Sequence, residues 1–457
     1  MHHREVMREV LEVKRMETRW LATGLCAVAS LAAIAAAPIC TNVRIARIAG
    51  SSNMGVFFDL NVDAIVTVSS LQTNGVPVSP DLYPSLGGRY VTAGQNRKLV
   101  WSAQKDWPDQ KLEKVKAFVT AWSPDVPPPY MVVNLSNRND VAYYESTNAI
   151  PFGITNKMYK TTHLVMAKIP AAGRTWTIGS LDGEHATAAR EVRHHVAFTD
   201  DYYMGIYEFT YGQWWQFLNT TPKYSSNDFH SYADDLDVCP VVGCTYNQVR
   251  GGAFTALPTS TTLIGLLRER SGMAFDLPRH AQWEVACRAG CASYINVPGA
   301  TMNQVAWTSS NRSQDPMNQY YDSSKPTTHE VGLLLPNAFG LYDTLGNVLE
   351  IGRDWLYSAS SNAYIASVGL TEETLVTVVR IDPEINATSV VGGDGVTYTA
   401  ASSSLNGGVG RWGGGVWGTN ASNQTNPSRW AASGGSSQPD TGFRVMCPAK
   451  NGGRLSN

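Results

Sequence analysis

The sequence predicts an α+β chain in which a small all-β sandwich precedes a larger, loop-rich domain with few helices. Three observations lead there. Between residues 42 and 122, β-branched and aromatic residues recur in short runs broken by turn residues. A proline-rich segment, Ser123-Pro-Asp-Val-Pro-Pro-Pro129, then separates that stretch from the rest and reads as a stiff, extended spacer. Beyond it, two segments carry the periodicity of a principal helix, and Gly-, Asn- and Ser-rich stretches between them imply long loops. A chain of 457 residues is also too long for one ordinary domain.

Composition narrows the function. Hydrophobic residues make up 43%, enough for packed cores, whereas charged residues reach only 16%. The formal net charge of −2 provides no basic field, so nucleic acid and anionic membrane are not expected partners. Thirteen Trp and twenty Tyr are many for this length. Aromatic packing in a fold with little regular structure explains them more simply than a carbohydrate-stacking surface does.

The elements follow in order. Residues 1–40 read as an export signal, with Met16 as a possible true start. Arg15 and Arg19 precede the apolar, Ala-rich run Trp20 to Ala37, which ends in small residues. An uncleaved membrane anchor is the competing reading, but no positive stop-transfer flank follows. A secreted, periplasmic or cell-surface location is therefore expected, with no membrane span in the mature chain. Cysteines at 40, 239, 244, 287, 291 and 447 remain past the signal, and in an oxidising compartment some should pair. The spacing fixes no connectivity.

Residues 41–123 form the expected sandwich, immunoglobulin- or fibronectin-like. Val56-Phe-Phe-Asp-Leu60 and Ala64-Ile-Val-Thr-Val68 read as strands, and Asn74-Gly75 as a hairpin turn. Val115, Ala117, Val119 and Ala121 alternate with more polar residues, a strand with one wet face. Residues 124–157 are expected as linker and strands, and 158–450 as the large domain, opening on a strand at Tyr159–Met166. One helix should follow Thr210, with Trp214, Phe217 and Leu218 on one face. Another should start near Pro278 and be capped by Asp276. Residues 358–404 read as an inserted hairpin or flap that is rich in strand formers.

The most informative stretch is Asn337-Ala-Phe-Gly-Leu-Tyr-Asp-Thr-Leu-Gly-Asn-Val-Leu-Glu350. It sets Gly, Asn, Asp and Glu between apolar residues, as a tight, oxygen-rich loop entering a strand requires. Asp343 and Glu350 offer carboxylates of the kind calcium takes. A buried turn whose acids bond to backbone amides is the alternative reading. Other motifs accompany it: Ile169-Pro-Ala-Ala-Gly-Arg-Thr-Trp-Thr-Ile-Gly-Ser180, Tyr202-Tyr-Met-Gly-Ile-Tyr-Glu-Phe-Thr210 with Gln213-Trp214, Phe275-Asp-Leu-Pro-Arg-His-Ala-Gln-Trp-Glu-Val-Ala-Cys-Arg-Ala-Gly290, Gly413-Gly-Gly-Val-Trp417 and Thr441-Gly-Phe-Arg-Val445.

In this order, these motifs resemble those of the formylglycine-generating enzyme (sulfatase-modifying factor) family. The resemblance implies a loop-rich variant of the C-type lectin fold. It also implies a calcium site at the side chains of Asp343 and Glu350 and the carbonyls of Gly346 and Val348. Leu349 and Ile351 stand where the family has two tryptophans, a change expected to loosen the packing around that loop. Members that oxidise a peptide cysteine carry two copper(I)-binding cysteines shortly after the motif that Gly413–Trp417 resembles. Here Thr419 stands at the first position and Asn423 or Gln424 at the second, and no cysteine occurs between Cys291 and Cys447. Soft thiolates select Cu(I), and a hydroxyl and an amide do not. No copper and no cysteine oxidation are therefore expected.

Trp417, Thr419, Asn420, Ser422, Asn423, Gln424, Arg429 and Trp430 form a polar strip with aromatic punctuation. It is similar to the variable tract of ligand-binding proteins diversified by retroelements, and suits hydrogen bonding to a glycan, peptide or protein. A solvated loop with no ligand is the alternative. His194 and His195, Arg444 and Glu208 read as packed or paired core residues rather than catalysts. The sequence thus favours a secreted, non-catalytic binding or surface protein. An enzyme of altered chemistry on the same scaffold and a self-assembling structural subunit are the alternatives.

Overall fold

The structure, a computed structural model, describes residues 36–108, 113–179, 193–220, 222, 235–251, 256–293, 295–308, 311, 328–353, 379–381, 389–391, 397–399, 408–412, 429–433 and 441–455. Chain contacts gather Ile39–Asn457 into one compact unit, distinct from Met1–Pro38. The export segment falls almost wholly outside the described residues. Among those described, no helix is long and apolar enough to cross a membrane.

The N-terminal strands form two sheets. One is ordered β1-β2-β6 from Cys40–Arg47, Met54–Leu60 and Gly94–Trp101. The other runs β4-β3-β5 from Val76–Pro77, Ala64–Thr73 and Arg89–Val91, with β7 (Lys116–Trp122) also pairing to β3. Both expected runs are strands, and Asn74 and Gly75 are left-handed between β3 and β4, as the hairpin reading requires. Val56, Phe58, Val66, Leu71, Leu99 and Trp101 from both sheets share one buried cluster. On β7, Ala117, Val119 and Ala121 pack against this cluster while Phe118 is exposed, so the alternation puts one face in water.

Tyr130–Asn134 (β8) pairs with His163–Ile169 (β10) on one side and with Val141–Tyr144 (β9) on the other. With Tyr202–Gly205 (β11) and Met446–Pro448 (β12) they form a five-stranded sheet ordered β12-β11-β10-β8-β9. Residues 124–157 thus supply two strands of this sheet, in keeping with the expected linker and strands. The strand expected from Tyr159 starts at His163, because Met158–Thr161 forms a helical turn. The chain end thus pairs next to β11, which joins the first and last motifs of the domain in one layer.

The helices also differ from expectation. After Thr210 there is one helical turn, Tyr211–Trp214, held by a capping box between Thr210 and Gln213. The later helix spans His280–Arg288, and its first residue follows Arg279, not Asp276. Asp276 lies too far upstream to cap it and instead pairs with Arg250, at 2.6 Å to Nε. A nine-residue helix, Leu263–Ser271, was not anticipated, although Thr262 caps it and Gly272 ends it in the left-handed region. Within the insertion, Ser389–Val391 and Thr397–Thr399 pair antiparallel as a hairpin, and Val379–Ile381 joins His194–Ala197 in parallel. Its remaining residues lie outside the described set. No disulfide joins the described cysteines, which corrects the expectation of pairing. Burial pushes Cys244, Cys287 and Cys447 up to about 12.

Candidate functional site

The Asn337–Glu350 stretch is buried and anchored from several sides. Asn337 Nδ2 donates to the carbonyls of Ala286 and Cys287 at 2.8 and 2.9 Å, which satisfies the C-terminal end of the His280–Arg288 helix. Its Oδ1 accepts from the amides of Phe339 and Leu341, closing the turn. Asp343, Gly346 and Asn347 then all take positive φ. At Gly346 a side chain is excluded twice: φ is +79°, and a Cβ would sit 2.4 Å from the Trp307 carbonyl oxygen. Gly346 and Leu345 pair in parallel with Ala306–Trp307, so the loop enters the sheet at a fixed register.

Three buried carboxylates, Glu208, Asp343 and Glu350, cluster around the single guanidinium of Arg444. Glu350 Oε1 accepts from Arg444 Nε and Nη2 at 2.8 and 2.7 Å. Glu350 Oε2 accepts from Arg444 Nε at 2.9 Å and from the Trp283 indole at 2.8 Å. Three N–H groups thus hold the carboxylate, with the single Nε proton shared between its two oxygens. Arg444 also donates to the carbonyls of Gly205 and Tyr342, both at 3.0 Å. One side chain thereby ties the strand Tyr202–Gly205, the 342–343 turn and the strand Leu349–Ile351 together.

Glu208 takes a different part. Its carboxylate accepts from Asn347 Nδ2 at 2.7 Å and from the Val348 amide at 3.3 Å. Burial first, then the nearby Asp343 and Glu350, push its pKa well above the carboxylate range. Asp343 Oδ2 accepts from the Gly332 amide at 2.6 Å, while its Oδ1 is buried with no hydrogen-bond partner. Burial raises Asp343 to about 6, against the Gly332 hydrogen bond and Arg444, which lower it.

Tested against calcium, the expected ligands divide. Asp343 keeps an unsatisfied oxygen, and its carboxyl holds its proton more tightly, as an uncompensated buried charge requires. Glu350, by contrast, has both oxygens engaged by Arg444 and Trp283. Gly346 and Val348 belong to the same tight loop. Leu349 and Ile351 are both buried. Arg444 and Glu208 are core ion-pair and hydrogen-bond members, as read from the sequence. The indole bond from Trp283 to Glu350 has no local sequence signal. His194 is buried, and His195 Nδ1 lies 3.1 Å from the Thr177 hydroxyl.

The polar strip is reached only in part. Trp417, Thr419, Asn420, Ser422, Asn423 and Gln424 lie outside the described residues. Arg429 and Trp430 open a strand, Arg429–Ser433, that pairs with Gly408–Trp412. Gly408–Trp412 in turn pairs with Leu349–Ile351, in register Glu350 with Trp412. Arg429 and Trp430 therefore lie in the sheet that carries Glu350, two strands away.

Residues 166–449 match the family described as the sulfatase-modifying factor enzyme 1-like domain. The chain belongs to that family. Comparison with curated proteins finds no match. Among solved structures, the family domain is similar to Treponema denticola variable protein 1, at 19% identity and a TM-score of 0.43, covering 63% of this chain and 95% of that one. It is also similar to PvdO from Pseudomonas aeruginosa, at 20% identity and a TM-score of 0.39, over 62% and 93% of the two chains. CarF matches at 14% identity and a TM-score of 0.36, over 62% and 98%.

Proposed function

We propose that this member of the family is an exported binding protein that does not oxidise cysteine. The absence of cysteine between Cys291 and Cys447 carries the reading. Copper(I) needs accessible thiolates, and the positions after Trp417 offer Thr419, Asn423 and Gln424. The buried thiols elsewhere are held protonated by their surroundings. The Ala-rich segment before residue 40 supports export, and the N-terminal all-β module is read as a sandwich that presents or spaces the family domain.

The strip from Trp417 to Trp430 is the proposed ligand surface, suited to a glycan, peptide or protein by its amides, hydroxyls and flanking aromatics. A calcium ion is proposed at Asp343 with the carbonyls of Gly346 and Val348, and Glu350 serves as the counter-charge of Arg444. Calcium there would neutralise the surplus of buried carboxylate and stiffen the loop. A copper(I) titration combined with a cysteine-peptide oxidation assay tests the central point. No stoichiometric binding and no turnover are expected; tight 1:1 copper with aldehyde formation would sink the reading. A glycan and peptide array, with and without calcium, then identifies the ligand class.

A further inference from the structure

A cleft of about 310 Å³ opens between the N-terminal strands and the five-stranded sheet, far in sequence from the strip after Trp417. We infer that it binds a small neutral saccharide. Its size falls at the lower end of ligand pockets, and junctions between modules are where such pockets concentrate. One wall comes from Arg89, Lys105 and Asp106 of the N-terminal module. The other comes from Tyr144, Met158 and His163 of the large domain.

The charges of the cleft cancel. Arg89 pairs with Asp140 at 2.9 Å, and Lys105 stands with Asp106, so no net field selects an ion. The polar lining mixes donors and acceptors, among them the Asn134 amide, the Ser85 hydroxyl and the His163 imidazole. The Thr162 hydroxyl lies 3.3 Å from the Met158 carbonyl and 2.9 Å from His163 Nδ1, which fixes the ring beside the cleft. Burial lowers the pKa of His163, which favours the neutral ring with one donor and one acceptor nitrogen. Asp106 Oδ2 accepts from the Ser85 amide at 3.0 Å and from its hydroxyl, which holds that carboxylate in the lining. Sugar hydroxyls both donate and accept, and so match such a lining, while Val132, Ala142 and Met158 suit the C–H faces of a ring.

Phe152 points to the same place. It lines the cleft, is 46% exposed and is held at a φ of 63°, a conformation that a bulky side chain adopts only under constraint. Asp81 of the N-terminal module supplies that constraint by accepting from the Phe152 amide. The fold thus maintains a strained, solvent-facing aromatic ring beside a polar cleft, which is what stacking against a sugar requires.

Calorimetric and NMR titration of the full chain with glucose, galactose, mannose, N-acetylglucosamine and their disaccharides tests this. Saturable binding at millimolar concentrations is expected, weakened at least tenfold by Phe152→Gly and several-fold by Tyr144→Phe. Phe152→Gly relaxes the backbone, so its melting temperature should stay close to that of the parent and loss of binding is not loss of fold. The inference is overturned if no sugar in the panel saturates. It is equally overturned if both variants bind as the parent does, or if glycine or inorganic phosphate binds where the sugars do not.

Discussion

At the scale of single residues, the family domain is organised around one arginine. Arg444 spends its donors on Glu350 and on carbonyls from separate segments, so removing either partner strands a buried charge. Arg444→Met or Glu350→Gln should cost about 3–5 kcal/mol, measured by denaturant unfolding. Asp343 gives a pH signature of the opposite kind. Its folded pKa, about 6, lies above the ordinary 3.8, so the folded state holds its proton more tightly than the unfolded chain does. Stability is therefore highest below about pH 4 for this group and is lost as pH rises towards 6, on the order of 3 kcal/mol in all. Asp343→Asn should flatten that slope in the absence of calcium. Saturating calcium should raise the melting temperature of the parent at pH 7 and leave the Asn variant unmoved. An unchanged slope in the variant, or an equal calcium response, would assign the titration or the ion to other groups.

At the scale of elements, local chemistry was legible where neighbours in the chain decide. The β-branched and aromatic runs Val56–Leu60 and Ala64–Val68, the Asn74–Gly75 turn and the alternation after Val115 all appear as read, because composition and alternation are local properties of the chain. The errors came where tertiary partners decide. Asp276 has the chemistry of a cap, yet Arg250 and the Leu277 amide claim its carboxylate. The helix Leu263–Ser271 escaped notice although its capping threonine and terminal glycine were in the sequence; its buried face is too mixed to stand out. Its cap is testable. Thr262 Oγ1 accepts from the Gly265 amide at 3.3 Å and donates to the Thr259 carbonyl at 2.6 Å. Thr262→Ala should destabilise the protein by about 1 kcal/mol, seen as a lower urea midpoint with an unchanged m-value.

At the scale of the molecule, the N-terminal sheets are bonded into the large domain rather than tethered to it. Glu145 accepts from Thr67 and Ser69 at 2.6 and 2.8 Å, and Gly88 pairs with Tyr143 through the backbone. Ile65 of the N-terminal module belongs to the same buried cluster as Tyr143, and Arg454 stacks on Tyr90 at 3.8 Å. The described unit should therefore unfold in a single calorimetric transition, with no protease-resistant fragment ending near Pro129. Two separated transitions would show that the spacer uncouples the halves. This coupling also keeps the two walls of the saccharide cleft in fixed relation.

Sequence alone determined the family, the order of its motifs, the strand-rich character of the first module and the absence of cysteine between Cys291 and Cys447, because each depends on residue identity and near-neighbour pattern. Only the tertiary structure decided that Glu350 serves Arg444, that Asp343 is left with an unsatisfied oxygen, and that Phe152 is strained beside a cleft. Those outcomes depend on which distant groups compete for the same lone pairs, and that competition is settled by packing.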